Sequence, residues 1–255
     1  SLAGRAQRPE RFVARVLKVS DRTEVIEACL FALRNGASSG ALRIAEKYLQ
    51  DPKHRESACK AIEGICAQFV WQNPKAVEAA LNKVKALGGG KYTVLKLSRI
   101  LEARNHRPSD IRAWSAAGPF FLKGVADGRK VFETVFLPEK DPKAKGVKWV
   151  RLKVGLEGDR IDLERTFGPR DFCCAYLRTK VFSALRVEAR LRLEADDYIK
   201  AWLNGKPVQG DRIVLQKGQN ELLLKVGDHA GGWSFRCRVE KADGSPIPGL
   251  RFHPY

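Results

Sequence analysis

The sequence predicts a multidomain α plus β chain, an all-α N-terminal half followed by an antiparallel β-sandwich. Three observations carry this expectation. Apolar residues recur at helical spacing up to about residue 104 and alternate with polar ones after residue 110. The polar, proline-containing stretch Arg104-Asn-His-Arg-Pro-Ser-Asp110 separates the two regimes. A chain of 255 residues is also long enough for two domains that each bury a core. The expected division is residues 1–106 and residues 107–255.

Taken in order, residues 9 to about 104 read as helix. Leu42, Ala45, Tyr48 and Leu49 form the apolar side of one helix. Asp51-Pro52 and Asn73-Pro74 each place a capping residue before a proline suited to the first helical position, so both predict helix starts. After Pro52, the residues Ala58, Ala61, Ile62, Ile65, Cys66, Phe69 and Val70 follow the i, i+3, i+4, i+7 template. Two further helices, about 74–87 and 91–104, are separated by Gly88-Gly89-Gly90, which stops the first. Short paired helices with Ala-rich inner faces resemble HEAT-like repeats. In that family each pair buries its face by stacking on the next. Only two or three pairs are visible, so the resemblance implies either more repeats upstream or a cap supplied by the β half.

Beyond residue 110, Leu185, Val187, Ala189, Leu191, Leu193 and Ala195 alternate with Arg186, Glu188, Arg190, Arg192 and Glu194. Trp233, Phe235, Cys237 and Val239 alternate with Ser234, Arg236, Arg238 and Glu240. Such strands bury one face and wet the other. Further strands are expected near 131–136, 147–154, 173–182, 198–203, 212–216 and 220–226, and this many short strands indicate a sandwich or jelly roll. Asp196-Asp197 and Asn204-Gly205 read as turns flanking one strand, the second supplying the two φ > 0 residues of a type I′ hairpin.

Four pieces in this half carry a family resemblance. They are Ala113-Trp-Ser-Ala-Ala-Gly-Pro-Phe120, Asp196-Asp197-Tyr-Ile-Lys-Ala-Trp-Leu-Asn-Gly-Lys206, Gly218-Gln-Asn-Glu-Leu-Leu-Leu-Lys-Val226 and Gly231-Gly-Trp-Ser-Phe235. In that order they resemble the galactose-binding-like β-sandwich (jelly-roll) domains attached to secreted bacterial glycoside hydrolases and multidomain surface proteins. The resemblance implies a module that binds or packs rather than catalyses, with polysaccharide as its partner. It also implies a secreted, periplasmic or cell-surface location.

Composition narrows the rest. Apolar residues make up 44% and charged residues 30%, the balance of a globular protein. No apolar run approaches the length of a membrane-spanning helix. The chain starts at Ser1 and contains no Met, which predicts a processed product or an excised piece of a larger protein. Its net charge of +18 divides evenly: residues 1–110 hold 20 basic and 11 acidic side chains, and residues 111–255 hold 27 and 18. Diffuse positive charge favours an acidic or sulfated polysaccharide, or is simply the solvated surface of a basic protein. Nucleic acid fits poorly, because the basic residues are not gathered into one stripe. The six cysteines lack metal-site spacing. Cys173 and Cys237 could both face the sandwich interior, where a disulfide competes with free core thiols as the expectation.

Candidate site residues follow from parity and turns. Trp233 shares parity with Phe235 and Cys237 and belongs in the core, and Trp114 near the boundary reads as a domain-closing anchor. Trp202 and Lys200 lie opposite the apolar parity of Ile199, Ala201 and Leu203. Trp149 likewise shares parity with Arg151 and Lys153, opposite Val150, Leu152 and Val154. An outward Trp on a basic face is a sugar-stacking platform, an interdomain contact, or a ring shielded by Lys and Arg stems. Asp196 and Asp197 offer oxygens to a sugar hydroxyl or a structural Ca²⁺, but no further ligands are identifiable in the sequence and turn formation through Asx bonding is the favoured account. His229, in a Gly-rich loop, completes the carbohydrate-binding candidates. No catalytic residue, no metal centre and no other cofactor is expected, since no nucleophile, paired-carboxylate or phosphate-loop motif occurs. The expected function is a non-catalytic binding or scaffolding fragment. The alternatives are a protein-interaction unit that docks other domains of the same polypeptide and, less favoured, a nucleic-acid-binding repeat.

Overall fold

The computed structural model describes residues 9–88, 90–105, 108–152, 154 and 158–255. Residues 1–8, Gly89, His106, Arg107 and Lys153, which bear on expectations above, lie outside the described residues. The chain divides into two compact units between residues 107 and 108.

The first unit is helical: α1 (Pro9–Val19), α2 (Thr23–Leu33), α3 (Ser39–Lys47), α4 (Arg55–Phe69), α5 (Pro74–Ala86) and α6 (Lys91–Asn105). Side chains at the N-termini fix where two of them begin. The Ser38 hydroxyl accepts from the Ala41 N–H at 3.0 Å, and the Asn73 side chain accepts from the Ala76 N–H at 3.1 Å, with Pro74 opening α5. The Asp51-Pro52 motif behaves differently. Asp51 accepts from the Lys53 N–H at 3.0 Å through its side chain and from the His54 N–H through its carbonyl, so a turn intervenes and α4 starts only at Arg55. Helix α4 packs against α2, α3, α5 and α6. Its predicted face, Ala58, Ala61, Ile62, Ile65, Cys66 and Phe69, is buried. Gly64 lets it close on the end of α2, because a Cβ there would stand 2.8 Å from the Arg34 carbonyl oxygen.

The second unit runs β1 (Ser115–Phe120), α7 (Gly128–Glu133), α8 (Leu137–Lys140), β2 (Val150–Arg151), β3 (Ile161–Asp162), α9 (Glu164–Phe167), β4 (Cys173–Ser183), β5 (Val187–Ala195), β6 (Tyr198–Leu203), β7 (Lys206–Pro207), β8 (Arg212–Leu215), β9 (Gly218–Asp228), β10 (Ser234–Glu240) and β11 (Arg251–Pro254). Two antiparallel sheets result. The larger has the order β2-β1-β4-β9-β6-β7, with β11 also pairing β4, and the smaller has β3-β10-β5-β8. Strand β4 is long enough for two partners along one edge, β1 at Cys174–Arg178 and β11 at Thr179–Phe182. The inner faces meet over one core that includes Leu177, Leu191, Leu224, Val226, Trp233 and Phe235. Asn204 and Gly205 take φ 51° and 78°, the hairpin geometry the sequence predicts.

Several expectations change here. The strand expected near 131–136 is helix α7, whose start is fixed by Asp127 accepting from the Lys130 N–H at 3.0 Å. The strand expected over 147–154 shrinks to the two residues of β2 at a sheet edge, which leaves Val150 exposed. One expectation does not change: Cys173 and Cys237, like the other four cysteines, are free and buried, the commoner case for core thiols. Trp114 belongs to the sandwich core itself, its indole N–H donating to the Ile111 carbonyl at 2.7 Å.

Candidate functional site

The outward face of β4, β9 and β6, where parity places Trp202 and Lys200, is covered by the connection between β1 and β2. This connection carries α7 and α8. Val131 of α7 packs with Cys174 and Tyr176 into a second small core, joined by Phe120, Phe136, Trp149 and Leu223. Lys225 lies fully buried beneath it. Its ammonium donates to the Thr134 carbonyl and, at 3.3 Å, to Glu139, with the rings of Phe132, Phe136 and Tyr176 centred 5.2–5.5 Å away. Glu139 also accepts from the Tyr176 hydroxyl at 2.6 Å and from Lys200 at 2.8 Å. Burial pushes this carboxyl up, but those hydrogen bonds and the two ammonium charges outweigh it and hold the group below its usual range.

Both candidate tryptophans on this face already have cations against them. The Lys200 ammonium lies 5.1 Å from the Trp202 ring centroid, and Trp202 is half-buried. Trp149, also half-buried, donates its indole N–H to the Pro142 carbonyl at 3.0 Å. The Arg178 guanidinium lies 4.1 Å from the Trp149 ring and 4.3 Å from the Tyr255 ring. A face stacked on a guanidinium is not free to stack on a pyranose.

Asp196, Asp197 and His229 are placed elsewhere, exposed on the loops at one end of the sandwich. The His229 N–H donates to the Asp197 carboxylate at 2.6 Å, so the β5–β6 turn is tied to the β9–β10 loop. The Gly231 N–H donates to the Asp171 carboxylate at 3.3 Å, and this adds the segment before β4. The next residue, Phe172, sits at φ 53°, a left-handed conformation that a bulky side chain rarely takes, and its ring meets the His229 ring edge-on at 5.2 Å. Beneath these loops lies Asp228, fully buried, with neither carboxylate oxygen hydrogen-bonded. Burial, then the charges of Asp197, Asp171, Asp196 and Glu164, push its carboxyl up to about 7.

Asp171, Phe172 and Asp228 did not emerge from the sequence. One signal was available: Asp228 shares the inward parity of Leu222, Leu224 and Val226, an anomalous place for a carboxylate. For Ca²⁺ the fit is poor, because among the described residues no three His, Cys, Asp or Glu side chains stand together closely enough to hold a metal ion.

The helical unit carries an open groove of about 720 Å³ whose lining includes Arg34, Arg55, Lys60, Glu63, Tyr92 and Lys96. Its charges are largely internal: Lys60 pairs with Glu56 at 2.5 Å and Lys96 with Glu63 at 3.0 Å.

No protein-family model and no curated protein matches the chain. Among solved structures it is similar to the PA14 domain of the antifreeze protein MpAFP. The identity is 13%, the match covers 57% of this chain and 72% of that one, and the TM-score of 0.28 is too low to establish a common fold. Among the described residues no helix is long and apolar enough to cross a membrane.

Proposed function

We propose that the chain is a non-catalytic binding module, a HEAT-like helical unit followed by a galactose-binding-like sandwich, within a larger secreted or cell-surface protein. Its ligand is a glycan, taken at the loop end of the sandwich. One observation carries the choice of place: Asp171, Asp196, Asp197 and His229 converge there with exposed polar groups. The outward face is instead closed by α7 and α8, and its rings are engaged by Lys200 and Arg178. Carboxylates in pairs accept hydrogen bonds from sugar hydroxyls, and the Phe172 ring borders them as an apolar surface. Screening the whole chain against a glycan array tests the reading: a defined glycan should bind, and its signal should vanish in Asp197→Ala. Absence of binding to any glycan would remove the proposal.

The open groove of the helical unit favours a second reading, a protein-interaction unit that docks another domain of the same polypeptide. Co-purification of the helical unit with the rest of the parent polypeptide would support it.

A further inference from the structure

The charge at the loop end opposes the charge of the chain. The protein carries +18, yet Asp171, Asp196, Asp197 and Glu164 all face Asp228 closely enough to disfavour its ionisation. The backbone donors that reach this cluster go to the outer members, from His229 to Asp197 and from Gly231 to Asp171. None reaches Asp228, which is fully buried with both oxygens unpartnered. Leaving a buried carboxylate without a donor is costly, and the cost falls when a positive charge is supplied. Neither Arg170, which lies over the Phe121 ring, nor Arg129, over the Tyr198 ring, is hydrogen-bonded to Asp228. A single metal ion is disfavoured by the spread of the carboxylates. A molecular cation with several donors spans what one ion cannot.

Resting on the glycan reading above, we infer that the loop end takes an amino sugar, its ammonium group held on the exposed Asp197 carboxylate with the buried Asp228 carboxyl beneath, and its hydroxyls reaching the separate carboxylates of Asp171 and Asp196. The saccharide hydroxyls donate to the remaining carboxylate oxygens, and the Phe172 ring borders the apolar face of the sugar. The ammonium cancels the charges that keep the proton on Asp228. That proton then leaves to the buffer, and the new carboxylate deepens the well for the cation. Binding therefore strengthens as the pH rises toward the range where Asp228 titrates, and weakens once the ligand amine loses its own proton. The other groups facing Asp228 are Glu164 on α9, Arg170 and Asp171 before β4, Cys173 on β4, Asp196 and Asp197 before β6, and His229 after β9. All but Arg170, Cys173 and His229 add negative charge, so the sign of the linkage is set by the carboxylates.

Isothermal titration calorimetry of the whole chain tests this with five ligands: a glucosamine trisaccharide, its N-acetylated counterpart, a neutral glucose trisaccharide, a uronic-acid trisaccharide and a non-sugar diamine. Each titration is repeated in two buffers of different ionisation enthalpy, near pH 7 where Asp228 titrates. The free-amine ligand should bind, with a buffer-dependent heat that reports proton release. D228N, nearly isosteric and free of the buried charge, should bind roughly tenfold more weakly and lose the buffer dependence. D171N, altered only at an exposed position, should weaken binding while keeping the proton release. Equal or better binding of the acetylated, neutral or acidic ligand overturns the inference and leaves the glycan reading standing. Binding of the non-sugar diamine with proton release, but of no saccharide, overturns the amino-sugar assignment, as does binding of none of them; the glycan reading then falls only if the array also shows no glycan bound.

Discussion

Two buried charges in the second unit have opposite fates, and each is decided by its nearest neighbours. Lys225 has no access to water, and its charge is met by Glu139, which Lys200 and Tyr176 also engage. Glu139→Gln leaves that ammonium without a counter-charge and should cost roughly 3–5 kcal/mol. Adding Lys225→Met should recover most of the loss, because Phe132, Phe136 and Tyr176 already surround the site with apolar surface. Urea denaturation of the two single variants and the double variant measures this. A double variant no more stable than Glu139→Gln would refute the account. Asp228, by contrast, has no hydrogen-bonded counter-charge and is surrounded by the like charges of Asp197, Asp171, Asp196 and Glu164. Its carboxyl titrates near 7 in the folded protein against an ordinary value of 3.8. Across that window the folded form holds a proton that the unfolded chain has released. Its contribution to stability is therefore complete below 3.8 and is lost as the pH rises to about 7. Asp228→Asn stays neutral throughout, so the wild type should lose thermal stability relative to the variant over that range. Parallel melting profiles for the two proteins would count against it.

At the scale of elements, the covering of the larger sheet by α7 and α8 is the event that parity could not anticipate. Alternation along a strand tells which residues share a face, but not whether a distant segment closes over that face. Lys200 and Lys225 share the polar parity of β6 and β9, yet Lys225 is buried. The information was present in Phe132 and Phe136 and in Asp127, a helix cap inside what reads as a strand region. Attachment of α7 depends on two glycines, Gly227 of β9, where a Cβ would stand 2.8 Å from the Phe132 ring, and Gly128 of α7 itself. A Cβ on Gly128 would stand 2.5 Å from the Asp228 carbonyl oxygen and 2.6 Å from the His229 Cα, both backbone atoms that cannot swing aside. Gly128→Ala should therefore lift α7 from β9, destabilise the unit by roughly 1–3 kcal/mol and shift Trp149 fluorescence to the red. Gly90→Ala, whose added Cβ meets nothing within 4 Å, is the control and should change stability by less than about 0.5 kcal/mol. Unchanged fluorescence in Gly128→Ala would show that α7 accommodates the methyl group.

For the whole molecule, the change of period near residue 110 was legible because it reflects how each half buries its apolar surface. Helices with an apolar stripe and strands with an apolar face leave different spacings in the chain. The loop-end cluster was legible only in part. Asp196, Asp197 and His229 are small polar residues in turns and stand out locally, whereas Asp171 and Asp228 join them only through sheet register, where Cys173 faces Asp228 across β4 and β9. The same register makes the sandwich self-contained. Every member of its principal core lies between Ile111 and Phe252, so the apolar surface that stabilises it comes from one continuous stretch of chain. Residues 108–255 expressed alone should accordingly give a β-type circular dichroism spectrum and a single cooperative melt. The segment should also retain the Asp228-dependent fall in stability with rising pH, since the carboxylates that cause it, Asp171, Asp196, Asp197 and Glu164, are all within the same stretch. A broad, non-cooperative melt would mean that the core requires the helices, and the division at residue 107 would then mark two contact clusters rather than two folding units.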